Sequence, residues 1–413
     1  MPASRSWAEE KNRTILKVGS MRTYHLIPIV LAILVAGCAR QGSSSTMPLN
    51  IDGAALRAQR EATTFKTLYV FDGKHGAEPT AGLTVSNGVL YGTTSSGGKR
   101  DSGTVFSLTV DGKEKVLHNF NRRESLPDAP VLALGGVLYG TTTWTGNDPG
   151  GGAYAIEADG KFLWNRSFKG RYNGYNPQGG LTSLHDVLYG TMSEGGGGLD
   201  GGAFYRVTTR GKERELYAFK GSPDGSDPQG NLLLLDGVFY GTTAAGGSSD
   251  RSAGTVFQVT SAGREKVLYS FEGYSPGAKP VAGLVEMRGM LYGTTVEGGA
   301  NYDGVVFSTT TSGKEQVVYN FGGQSGDGQR PMAPLTKYNG KLYGTTFAGG
   351  AYGLGTVFEV TTSGTERVLH SFSGGTDGAY PRAGLVAFDG LLYGTTSGGY
   401  ASRTDGTVFA ISP

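Results

Sequence analysis

Few side chains in this 413-residue chain are of the types that make or break covalent bonds. Cys38 is the one cysteine, which excludes a disulfide framework and any zinc site built on thiolates. Of five histidines, His25 sits in an apolar N-terminal run and His185 in a tight turn. His118 and His370 occupy strand positions that elsewhere hold tyrosine, and only His75 falls on a variable loop. No G-x-S-x-G elbow, HExxH helix or phosphate loop occurs. Acids are more numerous: Asp101, Asp148, Asp200, Asp227, Asp250, Asp303, Asp327, Asp377 and Asp405 are scattered over Gly-rich loops. Such loops can hold Ca²⁺ through carboxylates and carbonyls. The D-x-D-x-D spacing is absent, so the acids read as solvated turn formers, with no catalytic residue, metal or cofactor expected. Two acids ~5–10 Å apart would still suffice to cleave a glycosidic bond, and separate loops could supply them.

The remaining chemistry is that of ring faces. Trp144, Tyr172, Tyr175, Tyr274, Tyr302, Phe347, Tyr352, Tyr380 and Tyr400 stand at irregular offsets in loops. Aromatic rings in a shallow polar cup stack on sugars or grip a peptide or protein. These nine are the candidate binding residues. Lysine and arginine nearly balance aspartate and glutamate, leaving a net charge of +2, which gives no footprint for nucleic acid.

What must position these loops is a repeat. The string LYGTT or a close variant places Tyr91, Tyr139, Tyr189, Tyr240, Tyr292, Tyr343 and Tyr393 about fifty residues apart, the signature of a repeat architecture. Gly reaches 71 residues and only 17% of the chain is charged, which fits short strands joined by tight turns and excludes a helical bundle. Each unit holds four strand-like runs, a to d; in the first they are Gly82–Ser86, Val89–Thr94, Thr104–Val110 and Lys115–Phe120. Four strands per unit is a propeller blade. Between a and b, Asn87-Gly88, Gly135-Gly136, Asp236-Gly237, Asn339-Gly340 and Asp389-Gly390 suit type I′ turns, with His185-Asp186 and Arg288-Gly289 weaker members. Asp111-Gly112, Asp159-Gly160 and Ser363-Gly364 suggest the same between c and d. A proline (Pro79, Pro127, Pro177, Pro228, Pro280, Pro331, Pro381) precedes strand a in every unit, where its missing N–H removes no ladder bond.

The ends predict closure. Lys66 to Phe71 matches the d strands, while the chain finishes on a c strand, Gly406 to Ile411, with no d after it. The N-terminal strand therefore completes the last blade, giving an all-β, seven-bladed propeller over residues 65–413. Recurrent residues are scaffold: the Tyr and Gly of LYGTT, the Phe ending strand d (packed between blades), and the Thr pairs (cross-strand partners). The d–a and b–c connections lie on one face of the ring and vary in sequence, making that face the expected binding surface.

Upstream, Leu26 to Gly37 is an apolar run too short for the ~20 residues of a membrane-spanning helix and has the proportions of a signal peptide. Leu34-Val35-Ala36-Gly37-Cys38 resembles the bacterial lipobox, implying lipidation of Cys38, cleavage before it, and a membrane attachment through lipid alone. Residues 1–37 are thus a signal peptide, with Met21 the expected true start, and residues 38–64 a flexible tether. Ala39 after the lipidated cysteine points to the outer membrane of a Gram-negative envelope.

LYGTT, a Gly97-Gly98 pair, Gly103-Thr104-Val105-Phe106 and Val116-Leu117-His118-Asn119-Phe120 together resemble the bacterial GloVer repeat of choice-of-anchor surface proteins, over residues 65–413. Units two and three depart most, with Gly152-Ala153-Tyr154 and Gly202-Ala203-Phe204 in place of GTVF. The resemblance implies a secreted or anchored repeat protein and supplies no catalytic residues. The expectation is a monomeric, envelope-anchored binding module for a glycan, peptide or protein; the alternatives are a glycan-active hydrolase or lyase, or a structural spacer.

Overall fold

The computed structural model describes residues 64–122, 125–144, 150–168, 174–398 and 404–413. The signal peptide, Cys38, the tether up to residue 63, Tyr172, Tyr400 and Asp148 lie outside the described residues. Seven four-stranded antiparallel sheets form the blades of a seven-bladed propeller. In blade 1 the strands are Thr84–Ser86 (a), Val89–Thr94 (b), Thr104–Leu108 (c) and Glu114–Asn119 (d). Blade 7 combines Val386–Phe388, Leu391–Thr396 and Thr407–Ile411 with the N-terminal strand Phe65–Val70, which pairs antiparallel with Thr407–Ile411. The ring is therefore closed by its own ends, as expected.

Local chemistry explains the hairpins. All seven a–b turns place both central residues at positive φ, including His185-Asp186 (50° and 58°) and Arg288-Gly289 (56° and 78°), as type I′ turns require. The c–d turns differ from expectation. Asp111, Asp159 and Ser363 do not take positive φ; only the following glycine does, Gly112 at 91°. Gly112 N–H donates to Thr109 C=O at 2.9 Å and Thr109 N–H to Lys113 C=O at 3.1 Å. These are type I turns closed by a glycine bulge, so a one-residue difference in loop length selected another turn class.

The core lies between blades. Each phenylalanine ending strand d is 0–2% exposed and meets, edge to face at 5.0–5.3 Å, the aromatic residue of strand c in the next blade. Phe71 on Phe106 and Phe372 on Phe409 carry this contact into and out of blade 7. In blade 3 the partner of Phe168 is Tyr205, so Tyr205, not Phe204, takes the place of Phe106. The glycine of LYGTT makes room for that ring: a Cβ on Gly92 would stand 2.5 Å from Phe106 Cζ.

The two threonines of LYGTT divide the polar work. In blades 1, 4, 6 and 7 the second bonds the strand c threonine of its own blade, as Thr94 with Thr104 and Thr243 with Thr255, both at 2.8 Å. The first crosses the seam. Thr93, Thr141, Thr191, Thr242, Thr294 and Thr345 each donate to a backbone carbonyl of the next blade. Thr395 donates to Ala81 C=O at 3.2 Å and so links blade 7 to blade 1. On the outer rim a third device joins neighbouring d strands. Tyr69 donates to Glu114 at 3.4 Å and Tyr217 to Glu265 at 3.3 Å. Where the glutamate is replaced by phenylalanine the tyrosine becomes histidine: His118 stacks on Phe162 and His370 on Phe65, at 4.9 and 3.8 Å.

Candidate functional site

The loop face is organised by the seven prolines. Each packs its ring against the glycine that opens strand c of the preceding blade; a Cβ on Gly254 would stand 2.7 Å from Pro280 Cδ. The residue before each proline is held in the left-handed region: Glu78, Leu126, Asn176, Asp227, Lys279, Arg330 and Tyr380, with φ between 55° and 60°. None is glycine, and this conformation costs on the order of 1 kcal/mol per residue. Backbone bonds hold it there: Lys279 N–H donates to Ala253 C=O at 2.9 Å and Lys279 C=O accepts from Val296 N–H at 3.1 Å. Arg330 is gripped in the same way by Asp303 C=O and Phe347 N–H. The scaffold thus demands the backbone shape at seven points and leaves the side chain free to vary.

The residue after each proline turns to the ring axis. Thr80, Asp128, Gln178, Gln229, Val281, Met332 and Arg382 line the mouth of a central channel, a space of about 320 Å³. Asp128 accepts from Thr80 Oγ1 at 3.1 Å and Thr143 Oγ1 at 3.4 Å. Burial pushes its pKa up to about 6, against those hydroxyls and the Arg382 charge. Asp227 is also raised, again chiefly by burial, while accepting from Gln229 Nε2 at 2.9 Å.

A separate cleft of about 400 Å³ lies over the seam of blades 4 and 5. Arg251 and Ser252 come from one b–c loop, Tyr274 and Lys279 from the d–a connection, Tyr302 and Asp303 from the next b–c loop, and Arg330 from the following d–a connection. Tyr274 and Tyr302 are 55% and 65% exposed and meet edge to face at 5.8 Å. The Arg251 guanidinium lies 3.9 Å over the Tyr274 ring, a cation–π contact. Lys279 pairs with Glu297 at 2.6 Å, and Asp303 accepts from Gln329 Nε2 at 3.0 Å. Tyr302 itself has φ 65°, although the equivalent loop of blade 6 places Gly353 there at 74°.

The sequence candidates therefore separate. Tyr274 joins Tyr302, and Phe347 stacks on Tyr380 at 5.1 Å with Arg382 4.7 Å over the Phe347 ring. Trp144 and Tyr352 are exposed and meet no other ring among the described residues. Tyr175 is half-buried, with its backbone bridged to Glu194. Most acids stitch loops: Asp101 accepts from Gly97 N–H at 2.9 Å, Asp327 from the Tyr319 hydroxyl at 3.0 Å, and Asp377 from Ser373 Oγ at 2.7 Å. Among the described residues no three of His, Cys, Asp or Glu stand together as a metal site. The ring around Asp128 and Arg382 was missed in the sequence. Its one signal was a fixed offset from an invariant proline combined with a residue type that changes in almost every unit.

A model of the Gloeobacter/Verrucomicrobia repeat matches residues 35–253 and 235–413, bearing out the resemblance carried by LYGTT and GTVF. No curated protein matches the sequence. Among solved structures, a europium-containing methanol dehydrogenase aligns with TM-score 0.52 at 11% identity, over 84% of this chain and 93% of that one. A protein from Bacteroides uniformis described as a 6-phosphogluconolactonase aligns with TM-score 0.47 at 13% identity, over 71% and 84%. At 11% identity the likeness to the dehydrogenase is one of fold alone.

Proposed function

This chain belongs to the Gloeobacter/Verrucomicrobia repeat family, and we propose that it works as a binding module that takes its ligand on the loop face. In this reading Cys38 carries the lipid, the protein is exported to the cell envelope, and the ring is a monomer. One observation carries it. On the loop face the scaffold fixes backbone and leaves side chains free to vary, and there two aromatic pairs are each capped by an arginine: Tyr274–Tyr302 by Arg251 and Phe347–Tyr380 by Arg382. Among the described residues the opposite face consists of tight two- and three-residue turns that carry no arginine-capped aromatic pair.

Thermal shift against glycans, peptidoglycan fragments and peptides tests the reading. A ligand at one hundred times its Kd adds ~2.7 kcal/mol, and Tyr302→Ala should remove the shift without lowering the melting temperature of the free protein. A panel without any saturable shift sinks the binder. A second reading, a glycan-active enzyme, draws on Asp128, whose raised pKa at the channel mouth suits a general acid. It predicts new reducing ends from a bound glycan, lost in Asp128→Asn.

A further inference from the structure

We propose that the cleft over the seam of blades 4 and 5 binds an acidic oligosaccharide, one carrying carboxylate or sulfate on its pyranose rings; this rests on the binding-module reading and adds the chemical class of the ligand. Side chains rather than backbone must do the recognising. Across the cleft floor Ala278 bridges Glu297, Lys279 N–H is held by Ala253 C=O, and Gly299 N–H donates to Tyr274 C=O. With these groups already paired, the floor offers no open strand edge to which an extended peptide could add. What remains available is ring face and cationic donor.

The rings suit a sugar. Arg251 covers one side of Tyr274, while Tyr302 meets that ring at right angles, and the two tyrosines stay 55% and 65% exposed beside polar groups. The donors suit an acid. Arg251, Lys279 and Arg330 face two carboxylates, Glu297 and Asp303. Glu297 is taken by Lys279 and Asp303 by Gln329. Arg251 and Arg330 make no ion pair with a carboxylate among the described residues. Two guanidinium groups are thus left to form bidentate bonds with a carboxylate or sulfate.

The placement is specific to this seam. At the pre-proline position that gives Lys279 and Arg330 here, the neighbouring blades hold Glu78, Leu126, Asn176, Asp227 and Tyr380. The two cations are adjacent, and both stand on left-handed backbone that is hydrogen-bonded on each side. Tyr302 is on left-handed backbone as well. Neither the ring nor its turns call for an aromatic at that point. Three of the cleft's recognition groups are therefore fixed at their Cα atoms before any ligand arrives, which lowers the ordering cost of binding.

The test is calorimetry on the full chain with three acidic probes and their uncharged counterparts: tetragalacturonate and its full methyl ester, and 3′-sulfated lactose and sialyllactose, each against lactose. At least one acidic probe should bind, about tenfold or more tighter than its counterpart, as expected for a charge-assisted bond. Arg330→Gln should weaken the acidic probe about tenfold and leave the neutral one unchanged. Tyr302→Ala should weaken both, and Tyr352→Ala, in the next loop, neither. Equal binding of acidic and neutral forms that still depends on Tyr302 overturns the acidic class and keeps the binder. Acidic binding that ignores both Arg330 and Tyr302 overturns the site. No binding by any acidic probe at millimolar concentration overturns the inference, while the neutral and peptide panel separately decides the binder.

Discussion

Phe71→Ala should loosen one seam of the ring and leave the other six intact. Phe71 is 2% exposed and meets Phe106 at 5.2 Å and Tyr69 at 5.0 Å. Truncating a phenylalanine so buried costs ~3–5 kcal/mol. Phe271→Ala removes an equivalent ring, 0% exposed and 5.1 Å from Phe307, and should cost the same by urea unfolding. The two variants part in how the loss is distributed. Phe271 ends a strand that the chain joins to strand c of its own blade at one end and to blade 5 at the other. Phe71 ends a strand that is held to blade 7 by pairing with Thr407–Ile411 and by side-chain packing, with no hairpin joining it to that blade. Local release of Phe65–Val70 is therefore an available opening, and a loss of ~3 kcal/mol speeds exchange through it more than a hundredfold. Hydrogen exchange resolved by mass spectrometry should show this acceleration at Phe65–Val70 and Thr407–Ile411 in Phe71→Ala. In Phe271→Ala the same segments should change only as much as global stability does. A cost below ~1 kcal/mol for Phe71→Ala, or an acceleration spread evenly over all blades, would refute closure by this strand.

Acidification should strengthen the ring. Burial, with Asp224 beside it, raises the Glu265 pKa to about 8; burial raises Glu315 and Glu366 to about 7 and Asp128 to about 6. Each binds its proton in the folded state before the unfolded chain does, so stability rises as pH falls from about 8 towards the unfolded value near 4.5. His118 and His370, lowered by burial, oppose this below about 6.5, but the carboxyls outnumber them. Differential scanning calorimetry should find a melting temperature a few degrees higher at pH 5.5 than at pH 8.5, and Glu265→Gln should flatten that dependence. Gly293→Ala places a Cβ 2.6 Å from Phe307 Cζ and 2.8 Å from Leu284 Cδ2; urea midpoints should register a loss of ~1–3 kcal/mol, largely restored by adding Phe307→Leu. Thr294→Val deletes the donor to Ala333 C=O at 3.1 Å and should cost ~1–2 kcal/mol by the same measurement.

The architecture was legible because its determinants are local and repeated. Asn87-Gly88 and its counterparts dictate a turn class from two residues, and a lone d strand at one end with a missing d strand at the other leaves closure as the consistent topology. Turn class failed at Asp111-Gly112, where the dipeptide is shared but the preceding residues lengthen the loop. The site was legible only in part. Tyr274 and Tyr302 were visible as loop aromatics, yet their meeting depends on two loops of adjacent blades crossing one seam. Arg251 carried no mark of its role, because an exposed arginine beside serines looks like any solubilising residue. The left-handed residues before proline ran against sequence expectation, since proline ordinarily pushes its predecessor towards extended backbone. Only the paired hydrogen bonds from two blades, absent from any local pattern, hold them there.

The rim code of tyrosine with glutamate and histidine with phenylalanine sorts neighbours, but the direction of the closing strand sorts faces. Phe65–Val70 runs from the side of the tight turns towards the loop side, with Phe65 opposite Ile411. Thr64 N–H donates to Ser412 Oγ at 2.8 Å, and Ser412 N–H returns a bond to Thr64 C=O at 3.0 Å. Thr64, where the described chain begins, and Ser412 near its end thus lie side by side on the tight-turn face of the ring, opposite the loop face. A partner fused directly after Pro413 would therefore start from that face and not from the loop side.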